Sequence, residues 1–472
     1  MRTKLTATVI SFALASLGLL PCLTLVCAPV AVASAGSVWY LAEGSTAWGF
    51  NTEIAIENPN GGNATARVTY MTSSGPVTRP DILMAAESVT VLNPSEDIGS
   101  IDFSTTVECL EGLSIAVDRT MSWMGGPIVP ETQEPLSMET HSSIGVTGPA
   151  NTWYLPEGSS AWGFETWLLI QNPNAAPAEC TITYMIEGVG PAVFNRTVPT
   201  RSRATFSMEN DIGKADASIQ VGSNLPVIPE RAMYRDLRRM GHESIGATAA
   251  AHDYYLAEGS TAWGFTTYVL VQNPNAFENV VTLTYMRPTG PAVAAPFTMP
   301  AKSRRTIRVN EYLPGADLST RVHGKLPLIA ERAMYWGSGT PFGEVGHDSI
   351  GMASPHTAFY LPGGRTADLV DTWTLVQNPG ADDAEVEVSY FSKGVPANNV
   401  TFTETIPAET RRSFNLEDRA SSPRYGEGLY GIRVRALTPG AKIMCERATY
   451  WWTDAGNRYR TSGSGTIGGY ED

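Results

Sequence analysis

The chain has 472 residues, enough for about three domains of ordinary size. Apolar residues make up 43% and charged residues 17%, which excludes wholesale disorder, and 44 glycines with 32 prolines favour many turns over long helices. A net charge of −14 excludes a non-specific nucleic-acid binder, which needs a basic face.

Residues 1–35 read as a secretory signal. Arg2 and Lys4 form the charged start, a Leu/Ala/Val-rich stretch follows, and Ala33-Ser34-Ala35 before Gly36 is a small-residue cleavage site. Removing Arg2 and Lys4 takes the net charge from −14 to −16 and leaves Cys109, Cys180 and Cys445. These cysteines stand at unrelated positions, so no disulfide framework is expected. No later segment has the roughly 18 consecutive apolar residues of a membrane span. The expected localisation is secreted, extracellular or associated with the cell surface.

The rest is one motif written four times. The copies open at Trp39-Tyr40-Leu41-Ala42-Glu43-Gly44, Trp153-Tyr154-Leu155-Pro156-Glu157-Gly158, Tyr254-Tyr255-Leu256-Ala257-Glu258-Gly259 and Phe359-Tyr360-Leu361-Pro362-Gly363-Gly364. Their tyrosines are 114, 101 and 105 residues apart. In every copy the Tyr lies 18 residues before an Asn (58, 172, 273, 378) and that Asn 12 before a second Tyr (70, 184, 285, 390). A unit near 105 residues exceeds a solenoid repeat or a propeller blade and suits a β-sandwich. Cys180, Ile182 and Tyr184 alternate with Thr181 and Thr183, a strand with one apolar face. Cys180 fills a slot held elsewhere by Ala66, Val281 and Val386, so it reads as a small core residue.

An earlier strand at 167–171, 268–272 and 373–377 ends at Asn-Pro, and Asn-Pro-Asn/Gly predicts a β-hairpin turn. Seven or eight short strands per copy predict an all-β chain of four tandem immunoglobulin-like β-sandwich modules after the signal peptide: 36–149, 150–251, 252–355 and 356–472, the last with a polar, partly loose tail at 456–469.

The repeat Trp-Tyr-Leu-Ala-Glu-Gly-Ser-Thr-Ala-Trp-Gly-Phe … Gln-Asn-Pro-Asn … Glu-Arg-Ala-Met-Tyr-Trp … Gly-His-Asp-Ser-Ile-Gly resembles tandem modules of secreted bacterial cell-surface proteins across 38–467. The Asn-Pro turn and strand rhythm are similar to CARDB-like adhesion modules. Neither resemblance implies a catalytic residue or a cofactor.

Three constellations recur. Glu230-Arg231, Glu331-Arg332, Glu446-Arg447 and Asp118-Arg119 are strand neighbours facing opposite ways, so each reads as structural pairing. A segment carrying Glu43, Trp48 and Phe50 recurs as Glu157, Trp162 and Phe164, and as Glu258, Trp263 and Phe265. It reads either as an aromatic loop that stacks on a sugar or as tryptophan folded over its own core. His141, His242 and His347 head a His-x-Ser-Ile-Gly strand, with Ser464 in the fourth slot. Each histidine meets either its own copy's acid or the next one's.

A Ser-His-acid hydrolase is weighed and set aside, because no Gly-x-Ser-x-Gly elbow is present. No metal site is expected, since the histidines lack paired ligand spacing, and Asp382-Asp383 or Glu96-Asp97 as calcium ligands are unspecific. Arg235, Arg238 and Arg239 read as a solvated basic patch. The expected function is a non-catalytic envelope repeat protein acting as structural, spacer or adhesion array. The alternative is a multivalent carbohydrate-binding protein. Expected partners are an envelope polymer, a glycan or a surface protein, and no nucleic acid.

Overall fold

The computed structural model describes residues 36–129, 134–367, 369–419, 428–453 and 459–472, with side chains at 127, 129 and 134–136 also left out. The signal expected at 1–35 lies outside the described residues, and so does Asp368. Among the described residues no helix is long and apolar enough to cross a membrane. The chain is nearly all β, in several antiparallel sheets, with only short helical turns.

The same strand pairing recurs in all four copies. In the second, Ala150–Leu155 and Ala178–Ile186 pair with the first half of Ala217–Arg235, while Phe164–Asn172 and Met240–Ile245 pair with its second half. One strand thus serves two sheets. The sequence pattern predicts two strands there, and Pro226 and Pro229 mark the passage between sheets. The third copy does the same with Ser319–Trp336, whereas the first divides the strand into Phe103–Cys109 and Ala116–Val129 and the fourth into Gly428–Ala436 and Met444–Thr453. Ala178–Ile186 alternates buried and exposed as its pattern requires, and Cys180 sits in the core. All three described cysteines are free and buried.

Two expectations are corrected. Asn-Pro does not close a hairpin: Asn51–Asn58 pairs with Ser88–Leu92 and Ala116–Val129, while Ala64–Thr72 lies in the other sheet. The turn is an arch between sheets. Asn58 holds it by donating to the carbonyls of Gly62 and Ala85 and accepting from the Asn60 amide, 3.1 Å away. Asn172, Asn273 and Asn378 repeat the side chain-to-backbone turn. Nor is the described part of the C-terminal tail, from 459 on, loose, while 456–458 lie outside the described residues. Tyr459–Ile467 pairs with Met444–Thr453 and Gly469–Glu471 with Ala358–Thr366, and most of the segment is buried. It is the fourth copy's equivalent of the His-x-Ser-Ile-Gly strand.

The four last strands, Glu134–Ile144, Met240–Ile245, Val345–Ile350 and Tyr459–Ile467, pack against one another in cyclic order, the fourth against the first. Ser142 donates to Ser464 at 3.0 Å and the Ile144 amide to Thr466 at 2.9 Å. The packing is close enough to require small residues: a Cβ on Gly463 would lie 2.7 Å from Trp336, and one on Gly465 2.7 Å from His347.

Further out, each copy docks on the one before. Gln171 reaches the Thr105 carbonyl, Gln272 that of Ile219, and Gln377 the sulfur of Met286. Arg203, Arg304 and Arg411 donate to the carbonyls of Gly44, Gly158 and Gly259. The matching position of the first copy, Glu57, is buried against Gly431 and Ile432 of the fourth, so the series closes on itself.

Candidate functional site

Each Glu-Arg pair bridges two junctions. Because neighbours on a strand face opposite ways, the acid turns to the preceding copy and the arginine to the following one. Arg119 pairs with Glu230 at 2.9 Å, Arg231 with Glu331 at 3.1 Å, Arg332 with Glu446 at 2.8 Å, and Arg447 with Asp118 at 2.5 Å. All eight side chains are buried.

At the first three junctions the opening acid and the histidine join this pair. Glu43, Glu157 and Glu258 lie 3.5, 3.4 and 3.0 Å from the arginine of their own copy. His141, His242 and His347 each place Nε2 3.1 Å from a tyrosine hydroxyl of the next copy: Tyr234, Tyr335 and Tyr450. The histidine therefore returns to its own copy's acid, with Nδ1 of His242 4.0 Å from Glu157 and Nε2 of His347 3.7 Å from Glu258.

A further acid from the next copy faces Nδ1 at two junctions. Glu243 lies 2.8 Å from His141, and Asp348 lies 2.9 Å from His242. At the third, Gly465 takes that place and Arg332 approaches Nδ1 of His347 at 3.2 Å. The fourth junction replaces the acid with Gly363, the histidine with Ser464 and the tyrosine with Ser122.

Electrostatics differ accordingly. Burial pushes His141 down to about 4, and burial with Arg332 nearby holds His347 far below its ordinary value. For His242, burial acts downward but Asp348 and Glu157 outweigh it, and the value rises. Burial raises Glu230 and Glu446 and lifts Glu331 to about 8 despite Arg231. Among the described residues, the groups that gather donor atoms suited to a metal are Glu43, His141 and Glu243, and Glu157, His242 and Asp348.

The tryptophans separate from this interior. Trp48, Trp162 and Trp263 are each 76% exposed, whereas their companion acids are buried. Each lies in a turn closed by the amide of Phe50, Phe164 or Phe265 on the carbonyl of Ala47, Ala161 or Ala262. Both central residues are left-handed: φ is 59°, 57° and 57° at Trp, and 85°, 84° and 82° at the following Gly. That is ordinary for glycine and strained for tryptophan.

The phenylalanines turn inward. Phe50 packs on Trp123 and Tyr234, Phe164 on Tyr335, and Phe265 on Trp336 and Tyr450. The basic patch is a correction too: Arg239 is buried, Arg235 stacks on Phe164 and Arg238 on Phe50. Their planar guanidinium groups cover junction aromatics and are not free in solvent.

Beside two of the exposed rings a cleft runs along the junction. One of about 630 Å³ has Trp162, Phe164, Glu157 and Asp216 on one wall, and Tyr268, Arg304, Arg308 and Glu344 on the other. The next, about 300 Å³, lies between Trp263, Phe265 and Asp317 and Trp373, Arg411 and Arg460. The indole nitrogens of Trp48 and Trp162 donate to Asp102 and Asp216 at 3.4 and 3.2 Å, which fixes the rings. At the closing junction Arg365 reaches across to Glu53, and the space left is about 20 Å³.

Sequence reasoning missed the partners that the following copy supplies: Glu243, Asp348, Tyr234, Tyr335 and Tyr450. One signal was available: a tyrosine stands three residues after Arg231, Arg332 and Arg447.

No family model matches the chain, and no curated protein matches it. Among solved structures, Thermotoga maritima 1070 is 20% identical over 21% of this chain and 96% of its own, with a TM-score of 0.20. The Anabaena sensory rhodopsin transducer is 17% identical over 18% of this chain and 96% of its own, TM-score 0.17. The major pilin of Streptococcus pyogenes is 10% identical over 67% of this chain and 98% of its own, TM-score 0.13.

Proposed function

We propose that the chain is a non-catalytic adhesion or binding protein of the cell exterior, built of four immunoglobulin-like sandwiches closed into a ring, that holds glycans in its tryptophan clefts. The observation that carries this reading is the exposure of Trp48, Trp162 and Trp263 at 76% in a strained left-handed turn, three times over. Backbone strain and an exposed indole both cost stability, and neither serves packing. A fixed ring flanked by carboxylates and guanidinium groups suits a sugar, whose C–H faces stack on aromatics while its hydroxyls take polar partners. Equivalent weak sites on one rigid body gain by simultaneous engagement.

The non-catalytic part rests on the partners of the histidines, which are tyrosines and acids. Ser143, Ser244 and Ser349 instead donate to the carbonyls of Ile144, Ile245 and Ile350. The spacer reading is less favoured, because the first copy bonds the fourth and the ends of the series are brought together. A glycan array probed with the full chain and with its Trp48→Ala/Trp162→Ala/Trp263→Ala variant tests the reading. Binding lost in a variant of unchanged melting temperature supports it, and equal binding by both proteins refutes it.

A further inference from the structure

At the first junction the supply of protons does not meet the supply of acceptors. The Tyr234 hydroxyl carries one proton and donates it to Glu43 Oε1, 3.4 Å away. In the tautomer that lets this oxygen accept from His141, the proton of the neutral imidazole sits on Nε2. Nδ1 is left as a lone pair, and it lies 2.8 Å from Glu243 Oε2, a second lone pair. Five buried atoms of this cluster make no hydrogen bond, Arg119 Nε and Glu230 Oε1 among them, and the other three are Glu43 Oε2, His141 Nδ1 and Glu243 Oε2. These last three belong to buried side chains, and the set they form lies within 4.8 Å.

Each ligand is held by its other atom. Tyr234 holds Glu43 Oε1 and His141 Nε2, while Arg119 holds Glu243 Oε1 and stands 3.5 Å from Glu43 Oε2. Partners of this kind orient metal ligands. Charge points the same way. Three buried carboxylates, Glu43, Glu230 and Glu243, gather around the single guanidinium of Arg119.

The other junctions act as internal controls. At the second, Nδ1 of His242 does make its hydrogen bond to Asp348, at 2.9 Å. At the third, where Gly465 removes the acid, Arg332 supplies the proton to Nδ1 of His347. Only the first of these three leaves Nδ1 facing a carboxylate with no bond between them.

We propose that Glu43, His141 and Glu243 bind one divalent transition-metal ion, of the zinc or manganese kind, that ties the first copy to the second. One imidazole nitrogen and two carboxylate oxygens are a donor set such ions accept. The site goes beyond the glycan reading and does not depend on it.

The test is elemental analysis of the full chain purified without chelator, incubated with zinc or manganese chloride and dialysed. One equivalent per chain is expected. Glu243→Gln should lower it at least tenfold, while Asp348→Asn, the same change at the second junction, should keep one equivalent. No bound metal, or metal retained by Glu243→Gln, overturns the proposal. Should Glu243→Gln fail to fold, X-ray absorption of the zinc-loaded native chain decides. A shell of imidazole nitrogen and carboxylate oxygen supports the site, and a water-only or sulfur shell overturns it.

Discussion

Arg447 donates to Asp118 across 329 residues of chain, joining the last copy to the first. The bond repeats the contacts of Arg119 with Glu230, Arg231 with Glu331 and Arg332 with Glu446, so the fourth junction is built on the plan of the other three. Breaking one side of a buried pair strands the other charge, at a cost of about 3–5 kcal/mol. Arg447→Ala should therefore lose about that much stability in urea denaturation. The double change Asp118→Leu/Arg447→Met, which removes both charges, should recover most of it. An Arg447→Ala protein as stable as the native one would mean that the closing pair is not formed.

The copies should depend on one another. A fragment 252–355 exposes Glu331 and Arg332, which are buried against the second and fourth copies in the full chain. The sequence alone suggests an autonomous unit. The junctions predict that this fragment melts well below the full chain or without a cooperative transition. Calorimetry reads the difference, and equal melting temperatures would show that the junctions contribute nothing.

Much of this fold is legible in the sequence because its signals are local. The Tyr-to-Asn spacing sets the strand order, and the alternation around Cys180 identifies a core face. What escapes is whatever joins distant segments. Glu230 lies 111 residues from Arg119 and Glu243 lies 124, a separation on which spacing rules are silent. Asn58 looks like a hairpin turn because the strands beside it are consecutive, and nothing local says that they enter different sheets. The glycines near the C-terminus suggest looseness, yet Gly463 and Gly465 are small because Trp336 and His347 crowd them. At the candidate site the sequence groups acids, tryptophans and histidines but cannot divide them into exposed tryptophans and buried acids and histidines.

The tryptophan turns should be dispensable for folding. A left-handed backbone costs a non-glycine residue roughly 1–2 kcal/mol, and an exposed ring returns little of it. Trp162→Gly should leave stability unchanged or raise it by up to about 1 kcal/mol, read as a urea midpoint at constant slope. A loss of about 3 kcal/mol or more, as for an emptied core site, would place the ring in the core and remove the case for stacking.

Two of the buried histidines should each take stability away in mild acid, against the buried carboxylates, whose raised values act the other way. An unfolded histidine binds its proton near 6.5, while burial delays His141 to about 4. Between these values the unfolded chain takes up a proton that the folded chain refuses, and folding weakens by at most about 1.4 kcal/mol per pH unit and histidine. His347 acts in the same direction. Between pH 6.5 and 4 the double variant His141→Gln/His347→Gln should gain stability relative to the native chain, both treated with chelator. Equal slopes would mean that these histidines are not held neutral.

Closure of the four copies is the central claim, and small-angle X-ray scattering of residues 36–472 tests it most directly. A compact body of that length has a radius of gyration of about 22 Å, and the interlocked junctions predict a value close to it. Four sandwiches strung end to end would give roughly twice that value, and such a result would contradict the account.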